Sequence, residues 1–457
     1  MRALFSPRSR SSLPLAAALA LLATSALAQQ TEPQQTDPVP PPPAVGDNAQ
    51  NPPPEAKATA VPQVDLLAAL QSALRTHPSV QSARQKLTAS NYELDAAEYR
   101  LYPTPAIDLG AISGSSRSNG NQTSISVTQP LYAFGRYTSA IDAAESRVSA
   151  ATVAIDEAQL DLMDQTVTAY YEVVKAEARL AVQNRFVDQH RDLRDTVERR
   201  LKAEVGSESD LVLAQTRLSQ AQNDRSLIEA QVKKARNTLM NLTSLNAAQV
   251  VPPAQLDAPF RSEEAFQSKA LAYSPNLKRL RAESIALKQD AAVAWANTKP
   301  QLVLRAERVE SNVPTPYADN RLITALQYQP GAGFSAGSVA QAAEAKAVAA
   351  ELDIRSAQLK LTERVSTVYS DLTANLTQAR NLERVLRLNN DFFQSMLRQF
   401  QLGKRSWLDV LNALRDSNQS ELGYATAAAD AQLNSRRALL LSGQLEAVVD
   451  AGKGAAQ

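Results

Sequence analysis

Apolar residues at 66, 67, 70 and 74, all leucines, recur at helical spacing, and a second helical stretch follows Pro78 as far as Arg100. Tyr102-Pro103-Thr104-Pro105 stops it. The period then changes to two. Ile107, Leu109 and Ala111 alternate with Asp108 and Gly110; beyond a Gly/Ser/Asn-rich loop at 113–122, Ile125 and Val127 alternate with Ser124, Ser126 and Thr128. This predicts a β-hairpin over about 104–131, with one apolar face and one polar face. From Tyr137 the helical period returns. Leu160, Met163, Val167, Tyr170 and Val174 form a 3-4-3-4 seam of the coiled-coil kind. With no glycine or proline before Gly206, the spacing predicts a helix over 137–202, roughly 100 Å long at 1.5 Å per residue. The turn at 206–210 reverses it, and a returning helix runs from Leu211 towards Leu245.

The same order then repeats. Helices are predicted over about 262–297, ended by Lys299-Pro300; strands over 301–309 and 322–329, joined by a loop at 312–320; a long helix over about 338–402 with Leu361, Val365, Val368 and Leu372 on one seam; a turn at 403–406; and a return from Leu408 to about Leu445. The text itself repeats. The segment from Ser72 to Val80 around Pro78 answers the one from Ser268 to Leu277 around Pro275, and Gln129-Pro130 answers Gln329-Pro330. After each Gln-Pro pair proline is absent for more than 100 residues, which permits very long helices. The chain therefore divides into a first repeat over 64–250, a linker over 251–261, a second repeat over 262–449 and a tail over 450–457. The helical hairpins occupy about 137–245 and 338–445, and the second β-hairpin about 301–330.

Composition adds a compartment. Residues 1–28 read as a secretory signal, with Arg2, Arg8 and Arg10 ahead of an apolar run from Leu13 to Leu22 and an Ala26-Leu27-Ala28 exit. The alternative, a short membrane anchor, fits less well, because the run is too short to span comfortably. Residues 29–63 are a Pro-rich leader, expected to be extended and mobile, serving as a spacer rather than a ligand. Without the signal, 45 basic residues stand against 47 acidic ones, a net charge of −2 that argues against nucleic acid as a partner. There is no cysteine, hence neither a disulfide nor a lipid-anchored cysteine, and only His77 and His190 could serve a histidine metal site or triad. Neither suggests one, and no metal or cofactor is expected. The mature text has no run of 18 apolar residues, so entry into a membrane would have to be by strands in a closed barrel.

Four such strands cannot close a barrel, for which about eight is a sensible minimum. The chain must pool strands with copies of itself, and a trimer gives a barrel of 12. Tyr99, Tyr102, Tyr132 and Phe134 flank the first hairpin, and Tyr317, Tyr328 and Phe334 the second. They suit an aromatic girdle at the two membrane interfaces, or else pack helix ends against strand ends.

Helix, hairpin, long helix and short return helix, twice over behind a signal segment, resembles the TolC-like outer-membrane efflux and secretion channels from Val64 to Val449. The carriers are Thr128-Gln129-Pro130-Leu131-Tyr132 before Gly135, the Ala/Gln-rich long helices and the two turns. The resemblance implies a mainly α fold with a small β part: a homotrimeric channel whose 12-stranded barrel, four strands from each chain, continues as a periplasmic helical barrel. It implies an outer-membrane protein reaching into the periplasm, with outer-membrane lipid around it. Its partners would be a periplasmic adaptor, an inner-membrane ABC or RND transporter, and the exported substrate.

The run from Phe400 to Ala413 resembles the family's second tip residue by residue. By that resemblance Gly403 is the turn glycine, Arg405 the arginine of the closed gate, and Asp409 an acid ringing the periplasmic entrance. In the first copy, Ser209 to Ala214 matches the other tip, making Asp210 the partner of the gate arginine, with Ser209 beside it. Gly206, Ser207, Gly403 and Lys404 would be docking positions for the adaptor. A partly screened charge pair at a helix tip is worth about 0–1 kcal/mol, weak enough for a partner to break. The alternative is that Asp210 and Asp409 are solvated acids favoured by the helix dipole. The sequence departs from the family where a second acid is Asn412, a gate tyrosine is Phe400 and a turn glycine is Glu204, with Gly206 two residues later. These departures imply weaker cation plugging and an altered first tip.

A passive duct is thus expected, exporting proteins by type I secretion, as suggested by the likeness of the run from Gln329 to Ser335 to the second-hairpin exit of adhesin-exporting members. The alternative client is a multidrug efflux pump. A periplasmic adaptor or structural coiled coil would carry one helical hairpin among β-domains, and an enzyme would need a nucleophile–base pair, metal cluster or phosphate loop that the text lacks.

Overall fold

The structure is a computed structural model describing residues 63–112, 120–246, 249–250, 258–311 and 320–445. The expected signal (1–28), the leader up to residue 62, both β-hairpin loops at 113–119 and 312–319, residues 251–257 of the linker, and the tail lie outside the described residues.

In chain order the elements are β1 (Gln63–Val64), α1 (Leu66–Thr76), α2 (Pro78–Tyr99), β2 (Thr104–Ile112), β3 (Gly120–Tyr132), α3 (Arg136–Lys202), α4 (Glu208–Thr243) and β4 (Gln249–Val250). There follow α5 (Glu263–Tyr273), α6 (Pro275–Ala296), β5 (Gln301–Ser311), β6 (Asn320–Gln327), a 3₁₀ turn (Ala332–Phe334), α7 (Ala336–Gln401) and α8 (Trp407–Leu441). Local chemistry sets the breaks. Asp65 caps α1 by accepting from the Ala68 N–H at 2.7 Å, and Pro78 and Pro275 occupy the first turns of α2 and α6. The expected helical stretch over 262–297 is two helices, because Ser274 ends α5 and, through its hydroxyl, caps α6.

The four long strands form one antiparallel sheet in the order β2-β3-β5-β6, so β2 and β6 are its edges. Ile107 stands opposite Ile125, and Val127 lies in line with Ala306 and Leu322. Ile107, Leu109, Ile125, Leu322 and Leu326 all point away from the protein interior and are about half exposed or more. The other face carries Ser124, Ser126, Thr128, Arg305, Glu307 and Arg321; Arg321 pairs with Glu307 at 3.2 Å, and the Arg305 Nε–H donates to Thr128 at 3.3 Å. The apolar face is interrupted near the loop end, where Arg308 stands opposite Ile125. The described aromatics of the expected girdle, Tyr99, Tyr102, Tyr132, Phe134, Tyr328 and Phe334, are all exposed. All six sit at the helical end of the sheet rather than at both ends; Tyr317 lies outside the described residues.

α3 packs against α2, α4, α6 and α8, and α7 against α5, α6 and α8. The seam positions Met163, Val167, Tyr170 and Val174 are buried, as are Val365, Val368 and Leu372. The first seam meets Leu70 and Leu74 of α1 and Leu440 of α8 in one core. Here β1 pairs in parallel with β4 (Gln63 with Gln249, Val64 with Val250), joining the two margins of the first repeat, and the Tyr170 hydroxyl donates to the Val64 carbonyl at 3.2 Å. Phe260, within the stretch read as a linker, is buried and stacks on Phe266 at 4.8 Å in the core of the second repeat. By contrast α7 leaves Val348, Leu352, Leu359, Leu388 and Phe392 exposed. None of the described helices is long and apolar enough to cross a membrane.

Candidate functional site

The two helical hairpins, α3–α4 and α7–α8, end in turns built to one plan. At the first, the Val205 N–H donates to the Arg200 carbonyl at 3.0 Å and the Glu204 N–H to that of Leu201 at 2.9 Å. At the second, the Lys404 N–H donates to the Gln399 carbonyl at 2.9 Å and the Gly403 N–H to that of Phe400 at 2.9 Å. This is the pairing that closes a helix through a left-handed residue. That residue is Gly403 (φ 72°) at the second tip and Glu204 (φ 60°) at the first. Glu204 thus replaces the turn glycine without changing the turn, and the expected alteration of the first tip is confined to its neighbourhood. Gly206 has its own reason: a Cβ there would lie 2.9 Å from the Leu201 backbone nitrogen.

Ser207 and Ser406 start the returning helices, accepting from the Ser209 N–H at 3.2 Å and the Asp409 N–H at 3.3 Å. Asp210 and Asp409 therefore fall at the same step of their first turns, where the helix dipole favours a carboxylate. Both are half-buried, whereas Ser209, Arg405, Lys404 and Asn412 are exposed.

The sequence-expected gate residues are not all brought together within one chain. The Arg405 Nε–H donates to Gln399 Oε1 at 3.3 Å, and among the described residues no ion pair joins Arg405 to Asp210. Phe400 is buried and lies 5.5 Å from Trp407, both within an apolar cluster that includes Leu193, Val197, Phe393, Met396, Val410 and Leu414. That cluster ties α3 to α7 and α8 just above the tips.

A residue that the sequence did not single out stands between the two turns. Arg200 donates from Nη1 to the Phe400 carbonyl at 3.3 Å, and its guanidinium lies 4.8 Å from the centre of the Phe400 ring. Further up the first hairpin, His190 is buried edge-on to Phe186 at 4.5 Å. Burial, aided by the Arg217 charge, pulls its imidazole down to about 4, so it is neutral at ordinary pH. The residue at the same distance from the second turn, Asn389, instead donates to Ser420 at 2.7 Å.

The tips join carboxylates, cations and a packed aromatic pair at the ends of long helices: groups that can hold and release a contact, with no arrangement for bond chemistry. Among the described residues no group of histidines and carboxylates is placed to hold a metal ion.

Comparison with known proteins agrees with this architecture. The sequence pattern of a family described as outer membrane efflux protein matches residues 69–244 and 267–444, one match in each repeat. Protein CyaE of Bordetella pertussis is 25% identical over 400 residues, covering 82% of this chain and 83% of that protein. The outer membrane efflux protein BepC of Brucella suis is 27% identical over 171 residues, 34% of this chain and 37% of BepC. Among solved structures, the outer-membrane channel OprN superposes with a TM-score of 0.71 at 19% identity, over 83% of this chain and 89% of its own. The outer membrane protein VceC of Vibrio cholerae does so with a TM-score of 0.70 at 16% identity, over 84% and 96%. At such identities these likenesses describe the fold.

Proposed function

The chain belongs to the outer membrane efflux protein family, lies in the outer membrane and reaches into the periplasm, and from that premise we propose that three copies form the passive exit duct of a type I protein secretion system. At the coarser level it is an outer-membrane channel of a tripartite export system, working with a periplasmic adaptor and an inner-membrane transporter.

The observation carrying the duct is the sheet. It has an apolar outward face, a polar opposite face and two unpaired edges, β2 and β6. In lipid those edges must be paired, and three copies closing edge to edge give a barrel of 12 strands. The exposed apolar side chains of α7 are then covered by the next copy. Arg405 at one tip reaches Asp210 of a neighbouring copy, Asp409 rings the entrance, and Gly206, Ser207, Gly403 and Lys404 lie where an adaptor docks.

Protein export is favoured by the turn after β6. The run from Gln329 to Ser335 resembles the exit of adhesin-exporting channels, and it folds here as a tight turn with positive φ at Gly331, Gly333 and Phe334. The relative BepC, described as an efflux protein, keeps small-molecule efflux as the second reading. Deleting the gene tests the two. Loss of a secreted surface protein with unchanged drug sensitivity supports protein export; hypersensitivity to drugs with normal secretion favours efflux.

A further inference from the structure

We propose that Arg200 is an intrachain latch that holds the two helical hairpins together at the tips; the inference rests on reading those tips as a gate. Arg200 touches both turns. Its own carbonyl accepts the Val205 N–H that closes the first turn. Its side chain donates to the Phe400 carbonyl, which also accepts the Gly403 N–H of the second. The guanidinium lies over the Phe400 ring at 4.8 Å, and among the described residues no carboxylate is within ion-pair distance of it.

Three attractions therefore converge on one side chain. The last carbonyls of α7 present the negative end of the helix dipole to a cation. A hydrogen bond from a charged donor is stronger than a neutral one. The ring face of a buried aromatic adds a cation–π contact. Phe400 has no hydroxyl to offer where the resemblance implies a tyrosine, and the ring and carbonyl together receive Arg200 instead.

The geometry makes this a contact at the turns that opening must break, while the Arg185–Glu421 and Lys175–Asp430 pairs, which also cross between the hairpins, lie further up α3. The bonds within each turn belong to a single hairpin and survive if α7–α8 swings away from α3–α4. The Arg200–Phe400 contact crosses from one hairpin to the other and does not survive. The apolar cluster above it can slide, because dispersion contacts have little directional preference, whereas a hydrogen bond weakens steeply with misalignment.

The test is conductance of the purified full-length channel in planar bilayers, with thermal unfolding measured alongside. Arg200→Ala is expected to raise the open fraction by roughly tenfold, the shift that loss of one charged hydrogen bond gives a two-state gate. Arg200→Lys, which keeps the charge and a donor, is expected to recover part of the closed state. Phe400→Leu, which keeps the carbonyl, should open the channel less than Arg200→Ala, and the double variant should open no further than Arg200→Ala alone. The unfolding midpoint of Arg200→Ala should stay close to wild type. A normal wild-type channel unmoved by Arg200→Ala overturns the latch alone, as does equal opening by Lys and Ala. A wild-type chain that forms no channel overturns the gate reading and the latch with it.

Discussion

The two helical tips share a backbone and differ in what fills it. Both turns close with the same pair of hydrogen bonds, both have a left-handed residue at the same step, and both returning helices start on a serine cap. The second tip spends its special residue on the turn itself, as Gly403, and sets an aromatic pair, Phe400 and Trp407, on either side. The first tip forces Glu204 into the left-handed region and needs Gly206 for clearance. The second tip is thus the packed one and the first the strained one. A duplicated structure can diverge in side chains while its hydrogen-bond plan stays fixed, since that plan is set by backbone geometry.

The largest effect is expected at the packed tip. Trp407→Ala empties a buried site shared by α7, α8 and α3, and should cost about 3–5 kcal/mol per chain. Thermal unfolding, with limited proteolysis of the tips, would register it. Glu208, at the same step of the first tip, is exposed, so Glu208→Ala should change stability by no more than about 0.5 kcal/mol.

Next is the acid response of the first hairpin. The folded imidazole of His190 sits at about 4 against an ordinary 6.5, so between those values the unfolded chain binds the extra proton. Stability should be full above about pH 6.5 and fall as the pH is lowered towards 4, by up to about 3 kcal/mol per chain. Denaturation midpoints across that range check the slope. His190→Gln should flatten it whatever it does to stability at neutral pH; Asn389→Ala, in the second hairpin, should leave the slope intact.

Glycine substitutions come third. Gly206→Ala drives a Cβ into the Leu201 and Arg200 backbone, which cannot yield as a side chain would, at an expected cost of about 2 kcal/mol. Gly403→Ala meets nothing within 4 Å but must hold φ near 72°, at about 1 kcal/mol. Opposite in sign, Glu204→Gly should stabilise the first tip by about 1 kcal/mol through relief of its left-handed strain. Urea midpoints would resolve all three.

Much of this was legible in the sequence where a period repeats over many residues. The seam from Leu160 to Val174 and the alternation around Ile107 and Ile125 point to the helices and strands that are observed, with ends displaced by a few residues where a cap decides. Ser207, for instance, starts α4 at Glu208 rather than at Leu211. The rest had no such signal. The two-residue strands β1 and β4 are too short to carry a period, and their pairing joins positions far apart in the chain. Phe260 looked like linker because one aromatic after three prolines, at 252, 253 and 259, has no pattern. At the first tip the sequence displayed Gly206 and concealed that Glu204 takes the left-handed position. Arg200 was invisible for a different reason: its partner is a backbone carbonyl two hundred residues on, and carbonyls have no letter. The proposed pairing of Arg405 with Asp210 is not formed among the described residues of one chain, where Arg405 donates to Gln399 instead, so it would have to join neighbouring copies.

The central claim is that this chain is one third of an outer-membrane duct, and fractionation of the mature protein followed by gels with and without boiling tests it most directly. The account predicts a band of three chains in the outer-membrane fraction that collapses to one chain on boiling. A soluble periplasmic monomer, with or without boiling, would contradict it, because the edges of β2 and β6 would then have no lipid to exclude and no copy to pair with.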